Sequence, residues 1–220
     1  MRRMRILVTG ASGVLGRVTV PLLRDGGHQV ATPSSSELDL FDVIKVREAV
    51  RDTDAVLHLA TRIPTADNRK LPGAWDENDR LRDRATRLLV EAALSAETEV
   101  IVVPTTAFVY PPGPADESTP LADVRAFLRS ALEAEGHLRR FTDGGRRGVA
   151  LRLGSLYGPE ATSSTPTDRY DAHLHTQDAG RALLAALLCP AGIYNVCDDT
   201  DPVSHDRFTK VTGWRPRLTR

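Results

Sequence analysis

Lysine is nearly missing from this chain of 220 residues: Lys45, Lys70 and Lys210 are the only three, and arginine carries the rest of the positive charge. No lysine is therefore available for chemistry anywhere between residues 70 and 210. Cysteine is scarce too. Cys189 and Cys197 are too few and too loosely spaced for a zinc site or a disulfide framework, which fits a reducing cytoplasm. Net charge is absent, with Lys plus Arg at 29 and Asp plus Glu at 29, so no overall field draws the chain to nucleic acid or anionic lipid. No apolar run approaches a membrane span. The basic start "MRRMR" leads into a strand-like segment instead of an apolar signal region, so no signal peptide is expected. Repeats and low-complexity runs are missing as well. These absences leave a cytoplasmic protein with neither a nucleic-acid nor a membrane partner.

What remains is ordinary globular material, 41% apolar and 26% charged, long enough for one domain or one domain with a small appendage. Strands are expected at 5–10, 28–32, 54–60, 99–105, 148–153 and 193–196. Helices are expected at 14–27, 42–50, 74–96 (the longest), near 121–142 and at 177–188, the last before an irregular tail. Apolar strands alternating with amphipathic helices indicate an α/β fold with a doubly wound parallel sheet of Rossmann type.

The first loop narrows the choice. "TGASGVLG" sets Gly10, Gly13 and Gly16 between an apolar strand and an amphipathic helix. A pyrophosphate held there needs close backbone, outward amides and the positive end of a helix. Glycine supplies the close approach, because a Cβ would stand in the way. Three glycines alone are weak testimony; in this strand–turn–helix setting they are strong.

Together with "SELDLFD" (36–42), "VLHLAT" (56–61), "ENDRLRDRATRLLVEAA" (77–93), "VVPTTAFVYPP" (102–112), "LRLGSLYGP" (151–159), "HLHTQDAGRA" (173–182) and "TGWRPRL", the glycine turn resembles the extended short-chain dehydrogenase/reductase superfamily, the NAD(P)-dependent epimerases, dehydratases and reductases. The segment at 36–42 is similar to dTDP-4-dehydrorhamnose reductases. The resemblance runs through nearly the whole chain. It implies a dinucleotide whose pyrophosphate is wrapped by Thr9, Gly10, Ser12, Gly13, Val14 and Leu15. It also implies an adenine beside Asp39 and Leu40, a ribose side lined by Leu59, Ala60 and Thr61, and a nicotinamide next to Thr105 and Thr106. At the end of the second strand stand Ser34 and Ser35 where an acid would select NAD and an arginine NADP. Hydroxyls without a carboxylate do not repel a phosphate, which tilts the choice between NAD and NADP toward NADP.

The same resemblance implies a Tyr-x-x-x-Lys pair on the helix near 121–142, with the tyrosine as acid and the lysine lowering its pKa. In "FLRSALEAEGHLRRF" (127–141) those positions hold Phe127 and Ala131, and none of the four tyrosines in the chain has lysine four residues on. A positioned acid contributes roughly 10²–10⁴ in rate, so the usual redox route is expected to be severely impaired. Thr106 keeps the helper hydroxyl position, and Tyr110 and Tyr157 are candidate substitute acids. Arg62, Arg152 and His173 are candidate substrate contacts, and no metal-ligand cluster emerges. Residues 1–158, with 177–196, are expected to form the dinucleotide domain. The stretches 159–176 and 197–220 form a reduced C-terminal substrate lobe, too small to enclose a nucleotide-sugar in the usual way.

The leading expectation is an NAD(P)-binding epimerase/dehydratase-like protein with a degenerate redox site, repurposed to isomerise, dehydrate or cyclise a small-molecule metabolite. A non-catalytic NAD(P)-sensing or partner-supporting module stays open, as does a reductase or epimerase with a substitute acid. The resemblance also implies a homodimer through the helices at 74–96 and 121–142.

Overall fold

The computed structural model describes residues 2–65, 67–121, 126–167 and 172–218, with the side chains of residues 126 and 127 left aside. The elements in chain order are β1 (Arg5–Thr9), α1 (Val14–Asp25), β2 (Gln29–Ala31), α2 (Val43–Val50), β3 (Ala55–His58) and α3 (Asp76–Arg80). A π-helical turn, Leu81–Ala85, joins α3 to α4 (Thr86–Ser95). Then follow β4 (Val100–Thr106), α5 (Ala126–Asp143), β5 (Arg147–Leu153), β6 (Ser155–Tyr157), β7 (His173–His175), α6 (Thr176–Ala186), β8 (Gly192–Val196) and α7 (Asp206–Thr212).

Six strands form one parallel sheet in the order β2-β1-β3-β4-β5-β8. Side chains alternate between the two faces, and both faces are covered. Ile6, Val8, Leu57, Val102 and Leu151 pack into one core with residues of α1 and α6. Leu7, Val56, Ile101, Val103 and Ala150 pack into the other with residues of α2, α4 and α5. A strand buried on both faces must be apolar at nearly every position, which is why "RILVT" and "VIVV" carry no polar alternation. The order reverses beside β1, whose neighbours are β2 on one side and β3 on the other. A doubly wound sheet opens its ligand crevice at such a switch point, at the carboxyl ends of the strands.

Three expectations need correction. The helix at 74–96 is not one regular helix: its middle turn is π-helical. "SLY" and "HLH" pair as a separate two-stranded parallel sheet beyond the six expected strands, with His173 and His175 at the two ends of β7. The tail is not irregular, and α6 is not the last helix. α7 buries Phe208 completely and ends at Gly213, whose φ of 72° lets the chain turn so that Trp214 joins the same core. Expected structure at residues 122–125 lies outside the described residues. Both cysteines are free and buried, and burial pushes the Cys189 thiol up to about 11. Among the described residues no helix is long and apolar enough to cross a membrane.

Candidate functional site

The cleft begins where β1 stops. Gly10 has φ of 74°, and a Cβ there would lie 2.5 Å from the Ala60 backbone nitrogen. A Cβ on Gly16 would lie 2.3 Å from the Ala11 carbonyl oxygen, so glycine is what lets α1 close on the turn. Gly13 donates its amide to the Gly10 carbonyl (3.0 Å) and caps α1 without a side chain. The first turn of α1 has no acidic residue, and its leading amides, Val14 and Leu15 among them, have no intrahelical acceptor. That end of the helix is open to an anion. Arg17 fixes the turn from behind, donating to the carbonyls of Ser12 (3.0 Å) and Glu160 (2.9 Å).

From this turn a cleft of about 780 Å³ runs across the carboxyl ends of β1, β2 and β3. Gly10, Ser12, Gly13, Ser34, Ser35, Asp39, Leu40, Leu59, Ala60, Thr61 and Arg62 all line it, as does Thr9. The Thr9 hydroxyl, however, is committed to His58 Nδ1 at 2.7 Å. The opposite ring nitrogen, Nε2, lies 3.0 Å from the Leu81 carbonyl oxygen and must donate to it. Thr9 therefore donates and His58 is neutral, in accord with burial, which pushes its pKa down. Arg62 sits on the nucleotide cleft, with Nε 3.5 Å from Glu77, and is largely exposed. The residues present fit a dinucleotide: a cradle that a Cβ would fill, an uncompensated helix end, and a long cleft with an apolar floor at Leu38, Leu40 and Leu59.

The nicotinamide end, implied by Thr105 and Thr106, is built differently from expectation. Arg152, expected to meet substrate, is buried and forked onto Glu135 of α5, Nε to Oε1 at 2.8 Å and Nη2 to Oε2 at 2.7 Å. Its Nη1 donates to the Tyr110 hydroxyl (2.8 Å), which in turn donates to Asn195 Oδ1 (2.9 Å). Burial opposes the Arg152 charge, but the Glu135 bonds and charge outweigh it and hold the pKa up. Tyr110 is thus an interior link, its pKa raised by burial. Thr105 also donates to Glu135 (3.0 Å). Tyr157 is buried with its hydroxyl 2.8 Å from Asp198 Oδ2 and 2.9 Å from the Leu218 carbonyl oxygen. His173 lies between Asp201 (Nδ1, 3.1 Å) and the Thr167 carbonyl (Nε2, 2.8 Å). Each of these candidates is spent on the protein itself. Thr106 differs: its oxygen accepts from the Phe108 amide at 3.3 Å, and among the described residues its hydroxyl proton has no acceptor.

Phe127 and Ala131 lie one turn apart at the start of α5, and Ala131 is fully buried. Glu135 is the next position on that face. The sequence reading missed both Glu135 and His58. A carboxylate among the small residues of "SALEAEG" was the available signal for Glu135. Among the described residues no group of three His, Cys, Asp or Glu is placed to hold a metal ion.

Comparison with known proteins agrees with this architecture. The NAD dependent epimerase/dehydratase family matches residues 6–192. The chain belongs to that family and so to the extended short-chain dehydrogenase/reductase superfamily. It is 34% identical over 179 residues to a 3-diazoavenalumate denitrifying reductase from Streptomyces sp, covering 71% of this chain and 57% of that protein. It is 35% identical over 114 residues to an L-arabinose 1-dehydrogenase (NAD(P)(+)) from Haloferax volcanii, covering 48% and 42% respectively. The chain thus spans about half the length of these curated relatives. In fold it is similar to the UDP-N-acetylglucosamine 4-epimerase from Bacillus cereus, with a TM-score of 0.84, 18% identity, and coverage of 98% of this chain and 94% of that one. Solved structures of this fold include complexes with NAD and with NADPH.

Proposed function

We propose that the protein is an NAD(P)H-dependent reductase whose hydride acceptor needs no proton from a tyrosine–lysine pair. The observation that carries this is the joint state of the two halves of the site. The cleft keeps the glycine turn, the open end of α1 and an apolar floor, while the positions matched to the acid and its lysine hold Phe127 and Ala131. The substitute acids weighed from sequence do not restore the function, since Tyr110 and Tyr157 are buried and bonded within the protein. A ketone becomes an alkoxide as it takes hydride and must be protonated. An acceptor that is already cationic, such as an arenediazonium or an iminium ion, takes hydride without that demand. The relative that acts on a diazo compound, named a denitrifying reductase, supports the same choice.

When bound, the reduced nicotinamide supplies the hydride. The chain's own residues would do the rest. Gly10, Ser12 and Gly13, with the α1 amides, hold the pyrophosphate, and Leu40, Leu59 and Ala60 bracket the adenosine. Thr106 offers one hydrogen bond to the substrate. NADP is the proposed form, because the Glu37 carboxylate near the end of β2 is turned onto Ser34 and does not line the cleft. The small-molecule substrate would be bounded by 159–176 and 197–220, the proposed reduced lobe. The homodimer implied for α4 and α5 is testable by sedimentation.

Oxidation of NADPH by purified full-length protein tests the proposal, with arenediazonium and iminium acceptors compared against ketones and aldehydes above the protein-free rate. Turnover is expected with the cationic acceptors alone, and carbonyl reduction is expected to appear in a Phe127→Tyr/Ala131→Lys variant. Carbonyl reduction by the unaltered protein at a comparable rate would overturn the proposal. Non-redox conversion of a metabolite remains the second reading, favoured by the Thr106 hydroxyl; conversion without net cofactor oxidation would select it.

A further inference from the structure

We infer that Arg24 reads the 2′ position of the adenosine, and that it makes the cleft select a 2′-phosphorylated dinucleotide over one with a free 2′-hydroxyl. The inference rests on the reading of the cleft as a dinucleotide site. Arg24 is not among the residues that the glycine turn or the strand ends bring to attention. It lies in the last turn of α1, one turn beyond Val20, and both line the cleft, as do Thr32, Pro33, Ser34 and Ser35. A helical side chain leans toward the N-terminus of its helix. From the last turn of α1, which runs antiparallel to β2, that lean carries the guanidinium toward the end of β2.

Three observations give the position its meaning. Arg24 has no carboxylate within ion-pair distance among the described residues, so its charge is free for a ligand. The first acid after β2, Glu37, does not line the cleft. Its carboxylate is turned onto Ser34, accepting from the amide and the hydroxyl at 2.8 Å each, and those bonds hold its pKa down. Asp39 does line the cleft, but it lies beyond Leu38 on the wall with Leu40 and Phe41, and it accepts from the Phe41 amide at 2.9 Å. A site for a free ribose needs a carboxylate that accepts from the 2′-hydroxyl. Arg24 lines this cleft together with Ser34 and Ser35, and its guanidinium is a fork of donors suited to a phosphate.

An arginine in the last turn also complements the helix dipole. That role alone would tie Arg24 to stability and not to the choice of dinucleotide, so the two are separable by binding. Binding of NADPH and NADH to the full chain is measured by titration calorimetry for the unaltered protein, Arg24→Gln and Arg24→Lys. Thermal unfolding confirms that each variant is folded. The unaltered protein is expected to bind NADPH about tenfold or more tighter than NADH, in line with the loss of one charge-assisted contact. Arg24→Gln should weaken NADPH by a similar factor and leave NADH unchanged, Arg24→Lys should fall between, and added salt should narrow the gap. If Arg24→Gln binds both forms with the original ratio, or the unaltered protein prefers NADH, the assignment of Arg24 is overturned while the cleft reading stands. If neither dinucleotide binds, the cleft reading fails and this inference fails with it.

Discussion

A neutral imidazole ties the glycine turn to the helix opposite, and that makes the fold acid-sensitive. His58 accepts from Thr9 and donates to Leu81; His28 accepts from the Met4 amide at 3.2 Å. Burial pushes both pKa values below the ordinary value of about 6.5. In the unfolded chain the same rings protonate first as pH falls. The stability they contribute is therefore complete above about pH 6.5 and is lost progressively below it, by at most about 1.4 kcal/mol per pH unit for each ring. The melting temperature should fall between about pH 7.5 and pH 5.5, and His58→Gln should show a shallower fall; an identical slope would count against His58. The Arg152–Glu135 fork makes a second prediction at this scale. Arg152→Met leaves Glu135 buried without its partner, at a cost of about 3–5 kcal/mol, whereas a double Arg152→Met/Glu135→Leu replacement should recover much of it, read by denaturant unfolding. The sequence could nominate Arg152 and Tyr110 because they stand at strand ends. It could not show that they bond each other, since that depends on how β4, β5 and α5 meet.

At the scale of elements, the glycine turn is the part most legible in advance. Its residues, spacing and place after a buried strand all demand one geometry. The structure adds the reason for each glycine: Gly10 passes against Ala60 of the neighbouring strand end, and Gly16 passes against Ala11. Gly10→Ala must place a methyl inside van der Waals distance of the Ala60 backbone and hold alanine in a left-handed conformation, which alone costs roughly 1–2 kcal/mol. Dinucleotide affinity should fall by well over tenfold in a protein that still shows native circular dichroism, whereas Gly27→Ala, with open space around its Cβ, should cost stability but not affinity. The four central strands, β1, β3, β4 and β5, were readable because burial on both faces writes a continuous apolar run. β6 and β7 were not, because three residues each are too few to show a period. The π-helical turn was hidden by good helix formers on both sides, which fit a regular helix equally well.

The whole molecule is closed by its C-terminal segment, and here the sequence was least informative. A tail with one phenylalanine and one tryptophan has no periodic signal, yet Phe208 and Trp214 complete the core on the α1–α6 face. Phe208 packs between Tyr194 (5.7 Å between ring centroids) and Trp214 (5.6 Å). The fully buried Asp178 of α6 draws the tail down. Its Oδ2 accepts from the amides of Arg217 (2.8 Å) and Leu218 (2.9 Å), its backbone carbonyl accepts from the Trp214 indole (3.2 Å), and Arg181 pairs with its other oxygen. The Leu218 carbonyl then lies against the Tyr157 hydroxyl, so the segment up to Leu218 reaches β6 beside the proposed substrate region. Two variants separate packing from tethering. Phe208→Ala removes a fully buried ring and should cost about 3–5 kcal/mol in unfolding free energy. Asp178→Ala removes a charged acceptor from two amides and an arginine, with hydrogen bonds to charged groups worth about 1.5–3 kcal/mol each. If the tail is held as described, hydrogen exchange in Asp178→Ala should rise first at residues 214–218 and at β6, before the central strands respond. Uniform exchange across the sheet would mean that the segment unfolds only with the whole domain, and the tether would then have no separate role.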